Sequence, residues 1–322
     1  MKRRILIVII LCVLLTVPVR AETIRWVDFK VPYESLQYAM DVDIRTSEQE
    51  KHISWIDILS IAACRTGGRC TLTSVRKAVK DLQSDQAPDV LLGELYRYYG
   101  YYHDAYSAVL GGLLGNYAVM IDGKWEAAYG LKAFSPIAAG YGYRHCSDFG
   151  NQRAFGFARK HLGHDLMGRQ GTPIIAVEGG IVEVMGWNRY GGWRIGIRSF
   201  DSKRYYYYAH LQKDKPFAPG LKEGDAVKAG DLIGFMGRTG YSDKENTNNI
   251  ETVHLHFGMQ LVFEESQKEC NSEIWIDVYN IVRLLNAHRS SIHYSGGNSE
   301  RKYSFVDLDI LEYPDYRIFV EN

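Results

Sequence analysis

The sequence of 322 residues predicts an α+β protein, a small helical N-terminal domain followed by an antiparallel all-β domain. Apolar residues recur at helical spacing between residues 31 and 112. After about residue 120 the pattern changes to short apolar runs punctuated by turns, and the 31 glycines crowd this half. A helical stripe returns near residue 280, where Val278, Ile281, Val282 and Leu285 share one face. A hydrophobic content of 46% against 24% charged excludes a disordered polymer. Lys+Arg and Asp+Glu are both 38, without the basic excess of a nucleic-acid binder, so no nucleic acid is expected as a partner.

The chain begins with a targeting pattern. Lys2, Arg3 and Arg4 precede the apolar run from Ile5 to Val19, and Val19-Arg20-Ala21 closes it, as in a secretory signal peptide over residues 1–21. Arg20 stops the run short of the about 20 apolar residues a spanning helix needs. A retained signal anchor is the alternative, and membrane contact is expected only in that case. The mature chain then carries 34 basic and 38 acidic residues, a net charge of −4, and is expected outside the cytoplasmic membrane, secreted or in the cell envelope. Cys12 lacks the small preceding residue of a lipidated cysteine. Of Cys64, Cys70, Cys146 and Cys270, the first two are the easiest disulfide pair by spacing, the other reading being free, partly buried thiols. No CxxC spacing points to a cysteine-ligated metal.

In the front half, Tyr33, Leu36, Met40 and Ile44 follow Pro32 at helical spacing. Ser54 and Asp57 form a capping box for a helix through Ile58, Ile61 and Ala62, ended by Gly67-Gly68. Thr73 or Ser74 is expected to cap the next, with Val75, Val79 and Leu82 on one face. Pro88 suits a first helical position, and a last segment runs from Tyr101 to about Leu110. These stripes read as core. His52 and His103 stand alone, without ligand spacing. The second half reads as strands over 173–177, 181–185, 205–211, 232–236 and 253–261, with Ile195 and Ile197 marking another. Residues 290–303 read as mobile, and Phe305 to Leu311 as a last strand. The expected division is a helical domain over 22–130, a β domain with its terminal helix over 131–290, and a mobile tail over 291–322.

Five of the 10 histidines stand in three places: His161-Leu162-Gly163-His164-Asp165, Tyr208-Ala209-His210-Leu211 and His254-Leu255-His256-Phe257. Strand side chains alternate faces. Val253, Leu255 and Phe257 can therefore enter a core while His254 and His256 stand together on the other face. By the same parity Tyr206, Tyr208 and His210 share a face, and His210 would line the same groove. His161 or His164 with Asp165 and His256 gives two histidines and a carboxylate, a ligand set of catalytic zinc that leaves one position for water. Spacing alone does not choose between His161 and His164. His145, His288 and His293 fit no ligand pattern.

In this order and combination the motifs resemble those of the lysostaphin/LytM-type zinc endopeptidases, secreted hydrolases of cell-wall peptides. The family pattern of His-x-x-x-Asp, Tyr-x-His-Leu and His-x-His stands here as His161…Asp165, Tyr208-Ala209-His210-Leu211 and His254-Leu255-His256, over roughly residues 150–265. The resemblance implies a β-sheet core with a narrow groove, Zn2+ at its floor and a peptidoglycan peptide as substrate. It implies that His161, Asp165 and His256 are the zinc ligands, and His210 and His254 the catalytic histidines, without apportioning roles between the latter two. It prefers His161 over His164, which stands where the family usually has an aliphatic residue and would either perturb the metal or pack. Tyr241 to Thr252 is longer than the family's usual link and reads as a loop over the groove. The activity implied is hydrolysis of a stem or cross-bridge peptide bond. The alternative is a non-catalytic wall-binding or interaction module that retains the fold.

Overall fold

A computed structural model describes residues 24–84, 86–155, 157–269, 272–295, 298–301 and 304–312. The expected signal peptide, Cys12 and Cys270 lie outside the described residues. Among the described residues no helix is long and apolar enough to cross a membrane.

The front of the chain folds into helices α1 (Tyr33–Thr46), α2 (Trp55–Thr66), α3 (Leu72–Leu82), α4 (Pro88–Leu92) and α5 (Tyr99–Leu110), with a 3-10 turn over Gly93–Tyr98. Ser54 caps α2 by accepting from the Ile56 amide, and Gly67 ends it in the left-handed conformation. The cap of α3 is Thr71, not Thr73 or Ser74; its hydroxyl accepts from the Ser74 amide, so the helix starts two to three residues earlier than the apolar stripe suggests. The Cys64–Cys70 pairing does not form, and both thiols are free and buried. The Cys70 sulfur instead faces Leu59 O at 3.6 Å and the Tyr106 hydroxyl at 3.7 Å.

Strands begin earlier than the glycine pattern suggests. β1 (Leu114–Ile121) and β2 (Lys124–Leu131) form a hairpin. Its two-residue turn, Asp122-Gly123, has positive φ at both positions (48° and 79°), the conformation that matches strand twist. There follow β3 (Arg144–Cys146), β4 (Gln152–Phe155), β5 (Phe157–Lys160), β6 (His164–Met167), β7 (Pro173–Ile175), β8 (Gly180–Asn188), β9 (Gly192–Ser199) and β10 (Arg204–Ala209). After them come β11 (Ala226–Val227), β12 (Leu232–Phe235), β13 (His254–Leu261), β14 (Ile274–Ile276), α6 (Tyr279–Leu285), β15 (Ile292–Ser295), β16 (Asn298–Arg301) and β17 (Phe305–Asp307). The main sheet is antiparallel, in the order β11-β8-β9-β10-β13-β6-β3, with β14 also paired to β13.

The segment that composition reads as mobile contains paired strands. β15 pairs with β16, and β17 pairs with β1, burying Phe305. Lys132 fastens β17 from below, donating to Asp307 and to Asp309 at 2.8 Å each.

One apolar cluster runs from the helices into the sheet. It joins Leu36, Ile58, Leu59, Ile61, Tyr106 and Leu110 to Tyr206, Tyr208, Leu255 and Phe257. Within this junction Arg204 is buried to 1% exposure. Its guanidinium donates twice to Glu178, at 2.8 and 2.9 Å, and to Asp201 and the Ala108 carbonyl of α5 at 2.8 Å each. Tyr206 also donates to Glu178, at 2.6 Å. A buried ion pair adds little net stability, but removing one partner strands the other charge in a low-dielectric interior. Arg204→Ala is therefore expected to cost about 3–5 kcal/mol in urea denaturation. The triple variant Arg204→Met with Glu178→Met and Asp201→Asn, which leaves no carboxylate of this cluster without its partner, is expected to recover most of that loss.

Candidate metal centre and groove

The site lies on the open face of the main sheet, where register across β6, β13 and β10 places side chains in rows. His256 of β13 pairs with Asp165 of β6 on one side and with Ala209 of β10 on the other. Paired residues share a face, so Asp165 and His256 emerge together. Their neighbours Leu255 and Phe257 turn inward and are buried. His161 reaches the same point from the residue after β5, its carbonyl accepting from the Gly150 amide at 2.7 Å and its amide donating to Asn151 O at 2.8 Å.

Three ligand-type atoms converge there. His161 Nε2 lies 3.0 Å from Asp165 Oδ1 and 2.9 Å from His256 Nδ1, and His256 Nδ1 lies 3.1 Å from the same Asp165 oxygen. Among the described residues this is the group of three or more His, Cys, Asp or Glu side chains able to hold a metal ion. Atoms held about 2.1 Å from one tetrahedral ion stand roughly 3.4 Å apart, close to this spacing. The donor chemistry fits as well. His161 Nδ1 faces Asp148 Oδ1 at 2.8 Å, so its proton belongs on that side and Nε2 presents a lone pair. A carboxylate oxygen and two imidazole nitrogens then meet with too few protons to satisfy one another, whereas one divalent cation satisfies all three. Burial alone would raise the Asp165 carboxyl, but the close His161, His256 and His254 rings hold it well below the usual carboxylate range. Burial keeps the His256 imidazole easier to deprotonate than usual.

His210 and His254 stand beside this trio. Ring centroids are 4.8 Å apart between them and 5.8 Å between His210 and His256. His254 Nε2 is 3.8 Å from Asp165 Oδ1. Each ring aims Nδ1 at a backbone carbonyl, Thr239 O for His210 and Thr252 O for His254, both at 2.9 Å. A carbonyl accepts only from N–H, so Nδ1 carries the proton and Nε2 is left as a base. Burial, then the neighbouring His254 and His256, push the His210 pKa well down, keeping it neutral.

The parity expected around His210 does not hold. Tyr206 and Tyr208 are buried in the core, while Tyr205, Tyr207 and Ala209 line the groove with His210. The cause is the backbone of His210 itself, whose φ of 62° breaks the alternation just after β10 and swings the ring back to the open face. The same alternation removes His164 from the site. It is buried on the inner face, its Nε2 2.8 Å from His145 Nδ1, with its pKa pushed down to about 4 by burial and by His145. His164 packs and is not a member of the trio. His288 gives a backbone contact to Ala133 O at 2.8 Å and stacks on Phe134.

Spacing gave no sign of several other contributors. Asp148, on the turn after β3, orients His161 and also pairs with Arg153, which contacts Asp165 at 3.2 Å. Gly163 lets the His256 ring lie close. A Cβ there would sit 2.5 Å from the ring, so only glycine fits. The long segment 241–252 is pinned by Asn246, whose side-chain oxygen accepts from Trp193 Nε1 and from the Asp214 amide at 2.9 Å each. From this segment Tyr241 lines the cavity, which has a volume of about 880 Å3.

The family description for peptidase family M23 matches residues 159–271, a span that contains the trio and both flanking histidines. This segment is a peptidase family M23 domain. The L-Ala–D-Glu endopeptidase of Bacillus subtilis is 43% identical over 124 residues, which are 38% of this chain and 36% of that protein. Lysostaphin of Staphylococcus simulans is 39% identical over 98 residues, 30% of this chain and 17% of that protein. The chain thus covers well under half the length of these two relatives. A crystal structure of a Ruminococcus gnavus protein described as a LytM glycyl-glycine endopeptidase shares the fold, with a TM-score of 0.52 at 23% identity, covering 81% of this chain and 90% of that one.

Because Asp148 lies against His161 Nδ1, Asp148→Asn is expected to weaken any capture of a divalent cation such as Zn2+ by the candidate trio about 10- to 100-fold. A competitive chelator titration of the purified protein reads this directly.

Proposed function

We propose that this protein is a secreted or envelope-held zinc endopeptidase that hydrolyses peptide bonds in the stems or cross-bridges of peptidoglycan. The observation that carries the reading is the convergence of His161 Nε2, Asp165 Oδ1 and His256 Nδ1 within 2.9–3.1 Å of one another at the floor of the groove. The family match and the endopeptidase names of its relatives support it, as does the leader-like start of the chain.

In this reading His161, Asp165 and His256 hold the ion. Zinc bound there supplies Lewis acidity and makes water nucleophilic near neutral pH. The protein's own part is to position and to move protons. His210 and His254 present unprotonated Nε2 atoms toward the reacting carbonyl, one able to take a proton and return it to the leaving amine, the other able to donate a hydrogen bond once protonated. Such groups contribute about 10²–10⁴-fold in rate. The open face between Tyr207, Tyr241 and Trp275 receives the peptide. The peptidase unit is proposed to span 131–290, behind a helical domain over 22–130. A non-catalytic module would need neither the full trio nor two poised histidines, and both are present.

Purified protein with zinc is expected to release new amine ends from peptidoglycan, with fragments whose masses define the cut bond. Chelation should stop the release and added zinc restore it. His256→Ala should abolish it, and His210→Ala or His254→Ala should lower kcat about 10²–10⁴-fold while zinc remains bound. No release from any peptidoglycan tested, or an unaffected His256→Ala variant, would sink the proposal.

A further inference from the structure

The groove contains two guanidinium groups that nothing in the proposed chemistry uses. Arg194 and Arg159 both line it. Of the other basic side chains lining the groove, Arg153 is answered by Asp148 and Asp165 and Lys268 by Glu183 and Glu265, while Lys160 is exposed to solvent. Glu183 is engaged by Arg198 as well, and Glu273 accepts from Trp275. Arg194 and Arg159 have no carboxylate within ion-pair distance among the described residues. Arg194 Nε and Arg159 Nη1 are buried with no hydrogen-bond acceptor. A desolvated N–H without an acceptor is costly, and a charged one more so.

Both groups are also held in place. The Arg159 guanidinium lies 4.8 Å from the Tyr190 ring centre and 5.1 Å from that of Tyr241, so two aromatic faces fix its plane. Arg194 belongs to β9, and the β9–β10 register that pairs Tyr208 with Ile195, carried one residue further, sets Arg194 beside Ala209. The row across the sheet is then Asp165, His256, Ala209, Arg194. Ala209 is small, so the space between His256 and Arg194 is open. Two strand spacings separate their backbones, about 10 Å. A residue next to a carbonyl held at the His161–Asp165–His256 trio lies one residue step away, about 3.5 Å, so a peptide laid along this row toward β9 would carry that residue into the space between the trio and Arg194.

We propose that Arg194 and Arg159 form a carboxylate-reading subsite, and that the preferred substrates are anionic peptides with a free carboxylate on a residue next to the cleaved bond, as opposed to uncharged chains such as oligoglycine. This rests on the proposed peptidase reading of the same groove. Arginine is suited to the task because its planar fork can hold a carboxylate with two parallel hydrogen bonds, which a carboxamide cannot match.

The test uses two synthetic stem-type peptides that differ only in carboxylate against carboxamide on the residue after the cleaved bond. Both are offered to the zinc-loaded full chain, in hydrolysis and in calorimetric binding. The carboxylate peptide is expected to bind and to be cut at least 10-fold better. Arg194→Gln and Arg159→Gln should each reduce that ratio to under about threefold. Equal handling of the two peptides by the unaltered protein would overturn the subsite. So would variants that lose both peptides in the same proportion and keep the ratio, because that is the behaviour of a structural residue. Binding separates this inference from the peptidase reading. A preference in binding without hydrolysis upholds the subsite and removes the enzyme, whereas hydrolysis without preference does the reverse.

Discussion

The structure depends on strand register across β6, β13, β10 and β9. Because side chains alternate faces, a slip of one residue in β13 would send His254 and His256 into the core and bring Leu255 and Phe257 to the groove. The register is secured by what lies beneath it. Leu255 and Phe257 are buried against Tyr206, Tyr208 and the helical front of the chain. Asp165 and His256 therefore meet because the opposite face is apolar, and the lone pairs converge above a core that cannot be rearranged cheaply. The helical segment contributes to the site in this indirect way, through α5 and the Arg204–Glu178 junction under β10.

Electrostatics sorts the groove into groups with different occupations. At the floor, buried imidazoles and a carboxylate face one another with too few protons, an arrangement that a divalent cation resolves. Beside them, backbone carbonyls fix the tautomers of His210 and His254 and leave both Nε2 atoms open. At the end of the row Arg194, and at the groove wall Arg159, have no counter-charge among the described residues. In the proposed reading the first set holds a metal, the second moves protons and the third selects among peptides. Each follows from which partners are supplied and which are withheld.

Much of this was legible in the sequence. Helical periodicity located the five helices of the front half, and the His-x-His alternation put His254 and His256 on one face. The failures have local causes. The tyrosine run of β10 was assigned to the wrong faces because His210 adopts a left-handed backbone conformation that alternation does not anticipate. Thr71 is hidden as a cap because Thr73 and Ser74 offer the same kind of side chain closer to the apolar stripe of Val75, Val79 and Leu82. Cys64 and Cys70 are close in sequence, but the Cys70 sulfur turns toward Leu59 and Tyr106. Asp148 was invisible because its role depends on a turn bringing it to His161, and sequence separation carries no trace of that approach. Arg159 and Arg194 are two among 38 basic residues, and only a buried N–H without an acceptor, combined with the lack of any carboxylate partner among the described residues, sets them apart.

The most direct test is crystallographic. Diffraction data collected from zinc-equilibrated crystals above and below the zinc absorption edge should give one strong anomalous peak within about 2.0–2.2 Å of His161 Nε2, Asp165 Oδ1 and His256 Nδ1. No peak there, with zinc located elsewhere or absent, would contradict the account at its foundation.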